Sequence, residues 1–209
     1  MSDDHSTYDA LAPRYDGWSA AIVPDVREAW ARKIDAFVEP GAHVVELGCG
    51  TGVPVGRLLA SRYNYTGIDA SPGMLAKAAV AMSGVELIHG DMHDARFASG
   101  SLGGVVAFSS ISHTPRDRHA PLLAAIASWL RPGGVFVGNL HSRDDPDGFE
   151  ADWLGAGPMH WSGFDAATNL ALLEAAGFTV VESEVVEQHE PEPERCIIHP
   201  LWFVAQRAS

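Results

Sequence analysis

Cysteine and basic side chains are both scarce in this sequence of 209 residues, which has two Cys and sets 14 Lys plus Arg against 27 Asp plus Glu. Cys49 and Cys196 stand far apart and form no Cys-x-x-Cys pair, which predicts reduced, unpaired thiols rather than a zinc knuckle or a disulfide framework. The formal net charge of −13 argues against a nucleic-acid partner, because that affinity comes from Lys and Arg that neutralise phosphates. The same charge disfavours an anionic membrane surface.

Long apolar runs are absent as well. No uninterrupted apolar stretch approaches the about 20 residues that a membrane-spanning helix needs. The first residues, MSDDHSTYDA, are acidic where a secretory signal would be basic, so we expect a cytoplasmic protein. The length and the 46% of hydrophobic residues suit a single domain over residues 1–209, and we expect a monomer or a homodimer.

Glycine and proline divide the chain into alternating helices and strands. Apolar spacing predicts helices over residues 25–38, 54–60, 71–80, 120–130 and 169–176. Short apolar runs predict strands over residues 43–47, 63–68, 85–88, 105–109, 135–140, 179–186 and 201–205. This alternation is typical of an α/β fold with a seven-stranded, mostly parallel sheet and helices on both faces.

Two connections depart from this alternation. Residues 187–195 are polar and acidic with no helical pattern, so we interpret them as a solvated connection after which the last strand runs antiparallel. The alternative is that the acidic run 187–194 faces the substrate mouth and disfavours anionic acceptors. Residues 142–163 are rich in Asp, Gly and Trp and predict an irregular insertion on the substrate side of the domain.

Three alternate glycines follow the first predicted strand, in Glu46-Leu47-Gly48-Cys49-Gly50-Thr51-Gly52. Such a loop, between a strand end and a helix, brings bare backbone and its N–H groups close to a small, partly anionic ligand. The dinucleotide fingerprint would need glycine at position 53, which is Val53, and no Lys-Ser or Lys-Thr pair completes a P-loop. The loop therefore favours another kind of ligand.

This loop resembles the first motif of the class I S-adenosylmethionine-dependent methyltransferases, an acidic residue followed by xGxGxG, at Glu46, Gly48, Gly50 and Gly52. The stretch Leu130-Arg131-Pro132-Gly133-Gly134-Val135 is similar to the family's turn before its fifth strand. The resemblance covers residues 8–141 well and the rest in outline. It implies a Rossmann-like methyltransferase fold whose last strand is antiparallel, and S-adenosylmethionine as the cofactor.

Two further motifs match the family in order. Gly67-Ile68-Asp69-Ala70-Ser71 is similar to the second motif, whose acidic residue holds both ribose hydroxyls, a diol that suits the two oxygens of a carboxylate. His89-Gly90-Asp91-Met92 resembles the third, whose aspartate accepts from the adenine amino group. The cofactor-binding residues that the resemblance implies are Tyr15, Glu46, Gly48, Cys49, Gly50, Gly52, Asp69, Ala70, Asp91, Met92 and Ser109.

The segment from Tyr8 to Asp16 resembles a lid that many small-molecule members carry before the first helix, and we place the lid at residues 1–24. An aromatic ring there can attract the cofactor's sulfonium, by about 0.5–2 kcal/mol, and exclude water. Tyr15 and Trp18 are the preferred lid aromatics, and Trp18 is also assigned to the acceptor.

Methyl transfer from a sulfonium demands alignment of two reactants and exclusion of water, and a weakly acidic acceptor also needs a base. His113 follows the fourth strand and His141 the fifth, so both are candidate catalytic groups, with a loop histidine that caps the next helix as the alternative for His113. His160 and Trp161 are candidate substrate contacts, and a surface loop anchored by one tryptophan is the alternative.

These residues predict methyl transfer from S-adenosylmethionine to a small-molecule acceptor, with a preference for an oxygen. No metal is expected, because the resemblance already assigns Asp91 to adenine. The alternatives are a cofactor-binding protein without transferase activity, a non-methylating enzyme on the same scaffold and, further off, a nicotinamide-dependent oxidoreductase.

Overall fold

A seven-stranded sheet forms the centre of the protein, for which a computed structural model describes residues 4–208. Residues 1–3 of the predicted lid and residue 209 lie outside the described residues. In sheet order the strands are β3 (Glu86–His89), β2 (Asn64–Asp69), β1 (His43–Leu47), β4 (Leu102–Ala107), β5 (Leu130–Leu140), β11 (Leu201–Arg207) and β8 (Phe178–Val185).

The pairing confirms the predicted fold class. Strand β1 pairs parallel with β2 and β4, β2 with β3, and β4 with β5, whereas β11 runs antiparallel to both β5 and β8. The carboxyl ends of β1 to β5 therefore meet at one edge of the sheet, where ligands of open α/β sheets bind.

Helices cover both faces of this sheet. They are α1 (Asp4–Leu11), α2 (Tyr15–Ser19), α3 (Arg27–Arg32), α4 (Val55–Ala60), α5 (Pro72–Ala81), α6 (His119–Trp129) and α7 (Ala166–Ala175). Short 3₁₀ turns span Lys33–Ala36, Met92–Asp94, Ile111–His113, Arg116–Arg118 and Trp153–Gly155. At the start of α5, the Ser71 hydroxyl accepts from the Met74 N–H, so Ser71 caps the helix directly before its first-turn proline, Pro72.

Alternate residues of each central strand enter two separate cores. Val45 and Leu47 pack on the side of α6 and α7, whereas Val44 packs with α3 and α4 on the other side. Strand β4 begins three residues before the predicted start, at Leu102-Gly103-Gly104. A Cβ at Gly104 would lie 2.4 Å from Ile34 Cδ1, so glycine permits this close contact.

The prediction that residues 142–163 have an irregular conformation is wrong. Strands β6 (Asp145–Glu150) and β7 (Met159–Gly163) form an antiparallel pair in this segment. The sequence Asp145-Pro146-Asp147-Gly148-Phe149-Glu150 lacks the apolar alternation of a strand, and backbone pairing in the folded protein decides its conformation. A second small pair, β9 (Gln188–His189) with β10 (Ile197–Ile198), lies within the connection before β11.

Candidate active site

The glycine loop after β1 is held close to β2 by its own backbone. The N–H groups of Gly48 and Cys49 both donate to the Ile68 carbonyl, at 2.8 and 3.0 Å. Gly48, Gly50 and Gly52 have φ values of 72°, 53° and 75°, a region that side chains other than glycine rarely adopt. A Cβ at Gly50 would meet no atom within 4 Å, so this glycine faces open space, as a loop that receives a ligand must.

Asp69, the last residue of β2, links the glycine loop to the start of α5. Its Oδ2 accepts from the Gly50 N–H at 2.7 Å, and its Oδ1 accepts from the Ser71 N–H at 2.9 Å. Burial raises the pKa of this carboxyl, and the two backbone hydrogen bonds oppose the rise. Each oxygen keeps a second lone pair, which is the acceptor capacity that a vicinal diol requires.

A cavity of about 540 Å³ opens beside Asp69. Ala70, Asp91 and Met92, which the second and third motifs assign to the cofactor, line this cavity. One oxygen of Asp91 accepts from the His93 N–H at 2.9 Å, and the other lies 3.2 Å from an Arg118 nitrogen. Arg118 therefore fixes the orientation of the Asp91 carboxylate at the cavity wall. The sequence analysis did not single out Arg118.

A second cavity, of about 390 Å³, also borders the glycine loop. Glu46, Cys49 and Gly52 lie in its wall, so the predicted cofactor residues are divided between the two cavities. Both cavities share one set of lining residues, which marks the place where they meet: Tyr8, Tyr15, Gly48, Gly50, Phe108, Ser109 and His113.

Glu46 is buried, with 4% of its surface exposed, and the Tyr65 hydroxyl donates to its Oε2 at 2.6 Å. Burial raises the pKa of Glu46 to about 8, against the lowering effect of the Tyr65 hydrogen bond. The carboxyl is therefore largely protonated at neutral pH unless a cation lies beside it. The ammonium group of an amino-acid ligand would supply such a cation.

The thiol of Cys49 is not an activated nucleophile. Burial raises its pKa well above the ordinary value, and the charges of Glu46 and Asp69 add to the rise. A thiol in such surroundings stays protonated and inert, so Cys49 contributes its backbone to the loop.

His113 lies at the junction of the two cavities, in the 3₁₀ turn after β4. Its Nε2 is 2.9 Å from the Tyr8 hydroxyl, and its Nδ1 is 3.1 Å from the carbonyl oxygen of His160. His160 reaches His113 through this backbone atom, while its ring packs on Phe149 with centroids 4.8 Å apart. The structure does not place the His160 ring in the wall of either cavity.

The other predicted acceptor residues all line the smaller cavity. His141 lies against β7, where a Cβ at Gly163 would be 2.5 Å from its Cγ, and burial lowers its pKa. Trp18 and Trp161 face the same space. Trp153, which sequence reasoning missed, joins them, with ring centroids 5.4 Å from Trp18 and 6.4 Å from Trp161.

Tyr8 and Ser109 complete the junction between the cavities. The ring of Tyr8 lies edge-on to His113, with centroids 5.5 Å apart. Tyr8 stands inside the segment that resembles a lid, and that resemblance is the one signal that could have identified it. Ser109 has a φ of 47°, and its N–H donates to the Asn139 side-chain oxygen at 2.6 Å, so Asn139 fixes this turn.

The N-terminal helices pack over both cavities through polar contacts. Asp9 accepts from the Gly73 N–H at 2.8 Å and from the Ser71 hydroxyl at 2.5 Å. Asp16 accepts from the Thr51 hydroxyl of the glycine loop at 2.5 Å. The Thr7 hydroxyl donates to the Pro158 carbonyl at 2.7 Å, which joins α1 to the hairpin segment.

Part of the acidic connection also reaches the smaller cavity. Glu190 lies in its wall and accepts from the Cys196 thiol, and burial raises its pKa. Glu194 accepts from the Leu154 N–H at 3.2 Å. Glu190 therefore departs from the interpretation of this run as a solvated connection and follows the alternative that the run faces the substrate side.

Residues 4–208 contain no group of three or more His, Cys, Asp or Glu side chains that could hold a metal ion. Within the same range, none of the helices is long and apolar enough to cross a membrane.

The sheet order, the glycine loop and the acidic residues at successive strand ends define a Rossmann-like, nucleoside-binding α/β domain. Residues 44–134 match the family model described as a methyltransferase domain. The chain is 35% identical over 127 residues to trans-aconitate 2-methyltransferase from Deinococcus radiodurans, a match that covers 58% of this chain and 47% of that protein. It is 28% identical over 160 residues to (+)-O-methylkolavelool synthase from Herpetosiphon aurantiacus, covering 66% of this chain and 56% of that protein.

Among solved structures, the fold resembles that of the CcbJ methyltransferase from Streptomyces caelestis, with a TM-score of 0.74, 23% identity and full coverage of both chains. The chain spans about half the length of these two curated relatives. Over its glycine loop and the strands that follow, the chain is therefore similar to S-adenosylmethionine-dependent methyltransferases. The open space at Gly50 and the free acceptor capacity of Asp69 fit that cofactor.

Proposed function

We propose that this protein transfers the methyl group of S-adenosylmethionine to a small-molecule acceptor, with an oxygen as the preferred atom. The observation that carries the proposal is the meeting of two cavities at one set of residues. One cavity has Asp69 and Asp91 in its wall, and the other is lined by aromatic rings and His141. A methyl donor and its acceptor must be in contact, and this junction is where the two would meet.

The chain's own residues supply binding, orientation and a dry site. Asp69 would hold the ribose hydroxyls, Asp91 the adenine amino group and Glu46 the ammonium group. When bound, S-adenosylmethionine supplies an electrophilic methyl group on a sulfonium. The aromatic rings of Tyr15 and Trp18, which line the smaller cavity, would exclude water from that group and attract its positive charge.

We also propose that residues 1–24 act as a lid and that residues 142–163 form the acceptor side of a single domain. The contacts of Asp9, Asp16 and Thr7 support the first role, since they tie the N-terminal segment to α5, the glycine loop and the hairpin segment. The positions of Trp153 and Trp161 in the smaller cavity support the second.

The chemistry of the smaller cavity favours an aromatic or apolar acceptor over a polycarboxylate. The rings of Trp18, Trp153 and Trp161 lie in its wall. The carboxyl groups of Asp145 and Glu190 share that wall and would repel an anionic acceptor. Arg27 and Arg143 also line the cavity, and Arg27 is engaged by Asp25, 2.7 Å away. A phenol or another hydroxyl on an apolar body suits these surroundings.

Mass spectrometry tests the proposal directly. The purified protein is incubated with S-adenosylmethionine and a panel of phenols, alcohols, amines, thiols and carboxylic acids. We expect S-adenosylhomocysteine and a product heavier by one methylene, formed best from hydroxyl acceptors, and no product from Asp69→Ala. Transfer only to nitrogen, sulfur or carbon would refute the oxygen preference, and binding of the cofactor without any transfer would refute the proposed activity.

A further inference from the structure

The hydrogen bonds of His113 define which of its ring nitrogens carries the hydrogen. The His160 carbonyl oxygen, 3.1 Å from Nδ1, can only accept, so Nδ1 is the donor. In the neutral ring Nε2 is then an acceptor, and the Tyr8 hydroxyl, 2.9 Å away, donates to it. The hydroxyl proton of Tyr8 therefore points at Nε2 of His113, and the His160 carbonyl fixes the orientation of the His113 ring through Nδ1.

The surrounding elements hold this pair at the junction of the two cavities. His113 ends the 3₁₀ turn Ile111–His113, and this turn packs against β7 of the hairpin. The Tyr8 ring lies edge-on to Trp153, with centroids 5.7 Å apart, and α1 is tied to α5 through Asp9. Both Tyr8 and His113 line both cavities. The pair thus lies where donor and acceptor would meet.

We propose that Tyr8 is a catalytic residue which removes the proton of a hydroxyl acceptor, and that His113 is the positioning base that receives the proton of Tyr8. The proposal rests on the function proposed above. The Nε2 of His113 is already engaged by the Tyr8 hydroxyl, and a hydroxyl that donates one hydrogen bond can also accept one. His113 therefore acts through the phenol rather than by direct contact with the acceptor.

The proposed step balances in atoms and electrons. A lone pair of the acceptor oxygen forms the bond to the methyl carbon, and the carbon–sulfur bond breaks with its electron pair left on sulfur. The acceptor proton moves to the Tyr8 oxygen as the Tyr8 proton moves to Nε2 of His113. The resulting imidazolium keeps its Nδ1–H on the His160 carbonyl and later loses the second proton to water.

A graded series of phenols separates this relay from a purely structural contact. 4-Methylphenol is weakly acidic and needs a base, whereas 4-nitrophenol is largely ionised at neutral pH and needs none. We expect Tyr8→Phe and His113→Gln to lower kcat for 4-methylphenol about 100-fold and for 4-nitrophenol less than about 3-fold. The double variant should be no slower than the slower single variant, because the two residues act as a unit.

Two measurements do not depend on turnover. Calorimetry with S-adenosylhomocysteine should give dissociation constants within about 3-fold of the wild type for both variants, since neither group is assigned to the cofactor. Nitrogen-15 spectra of the labelled imidazoles should show His113 with hydrogen on Nδ1, and its Nε2 resonance should move in Tyr8→Phe. Tyr63→Phe is the matched control, because its hydroxyl donates to Asp35 at 2.5 Å and it does not line either cavity.

The outcomes are distinct. An equal loss of kcat for both phenols would show that Tyr8 only fastens the N-terminal segment. A weaker affinity for S-adenosylhomocysteine that accounts for the loss of kcat would show the same. Either result would overturn the relay while the proposed function stands. Hydrogen on Nε2 of His113 would also overturn it. Wild-type protein that binds S-adenosylhomocysteine but methylates no acceptor would overturn the proposed function, and the relay with it.

Discussion

The buried carboxyl of Glu46 should make the stability of the cofactor-free protein depend on pH. Burial raises the pKa of Glu46 from 4.5 to about 8 in the folded state. Between these two values the folded state holds a proton that the unfolded state has lost, so the free energy of unfolding decreases as the pH rises. The protonated Glu46 makes its full contribution to stability below the pKa that this residue has in the unfolded state. This contribution to stability is lost once the pH rises above the pKa of Glu46 in the folded state.

Glu46→Gln removes this dependence without changing the shape of the side chain. One pKa unit corresponds to about 1.4 kcal/mol, so the shift from 4.5 to about 8 sets an upper limit of about 5 kcal/mol. The glutamine oxygen can still accept from the Tyr65 hydroxyl, which lies 2.6 Å from Oε2 in the wild type. The variant should match the wild type near pH 4.5 and should be more stable near pH 8 by up to that limit.

Urea unfolding of both proteins, followed by circular dichroism at a series of pH values from about 5 to about 8, measures this difference. Glu174→Gln, at an exposed position of α7, is the control and should show no such pH-dependent gain. If wild type and Glu46→Gln lose stability in parallel over this range, the carboxyl is ionised in the folded protein and the reasoning from its burial is refuted.

Three further predictions concern the cofactor. Asp69→Ala removes the carboxylate assigned to two ribose hydroxyls, and each hydrogen bond to a charged group contributes about 1.5–3 kcal/mol to binding. Calorimetry should therefore show an affinity for S-adenosylhomocysteine that is reduced about 100-fold or more. An affinity equal to that of the wild type would disprove the assignment. Gly50→Val places a branched side chain at a φ of 53° in open space, and it should abolish cofactor binding in a protein whose circular dichroism remains that of a folded chain. Asp16→Asn weakens the 2.5 Å contact with Thr51, so S-adenosylhomocysteine should dissociate about 10-fold faster in stopped-flow fluorescence; an unchanged rate would remove that contact from the lid.

The cofactor half of the fold could be predicted from sequence because its signals are local. The strand His43–Leu47 has the predicted bounds, and the Ser71 cap follows from a serine before a proline. Three glycines at alternate positions are typical of a turn with positive φ values, because glycine adopts them without a steric cost, and Gly48, Gly50 and Gly52 all do so.

The acceptor half could not be predicted to the same depth, because its residues are brought together by long-range contacts. Tyr8 contacts His113 although they lie 105 residues apart in the sequence, and His113 contacts the backbone of His160 at a separation of 47 residues. The hairpin around Trp153 carries no apolar alternation, so no periodic signal marks its strands. Glu190 likewise reaches the cavity from a run whose composition is typical of solvated loops.

Calorimetric titration with S-adenosylhomocysteine, repeated with Asp69→Ala, tests the central claim most directly. We expect one site per wild-type chain and loss of binding in the variant, whose melting transition should show that it remains folded. Absence of binding to the wild-type protein, or undiminished binding to Asp69→Ala, would contradict the assignment of this cavity to the cofactor.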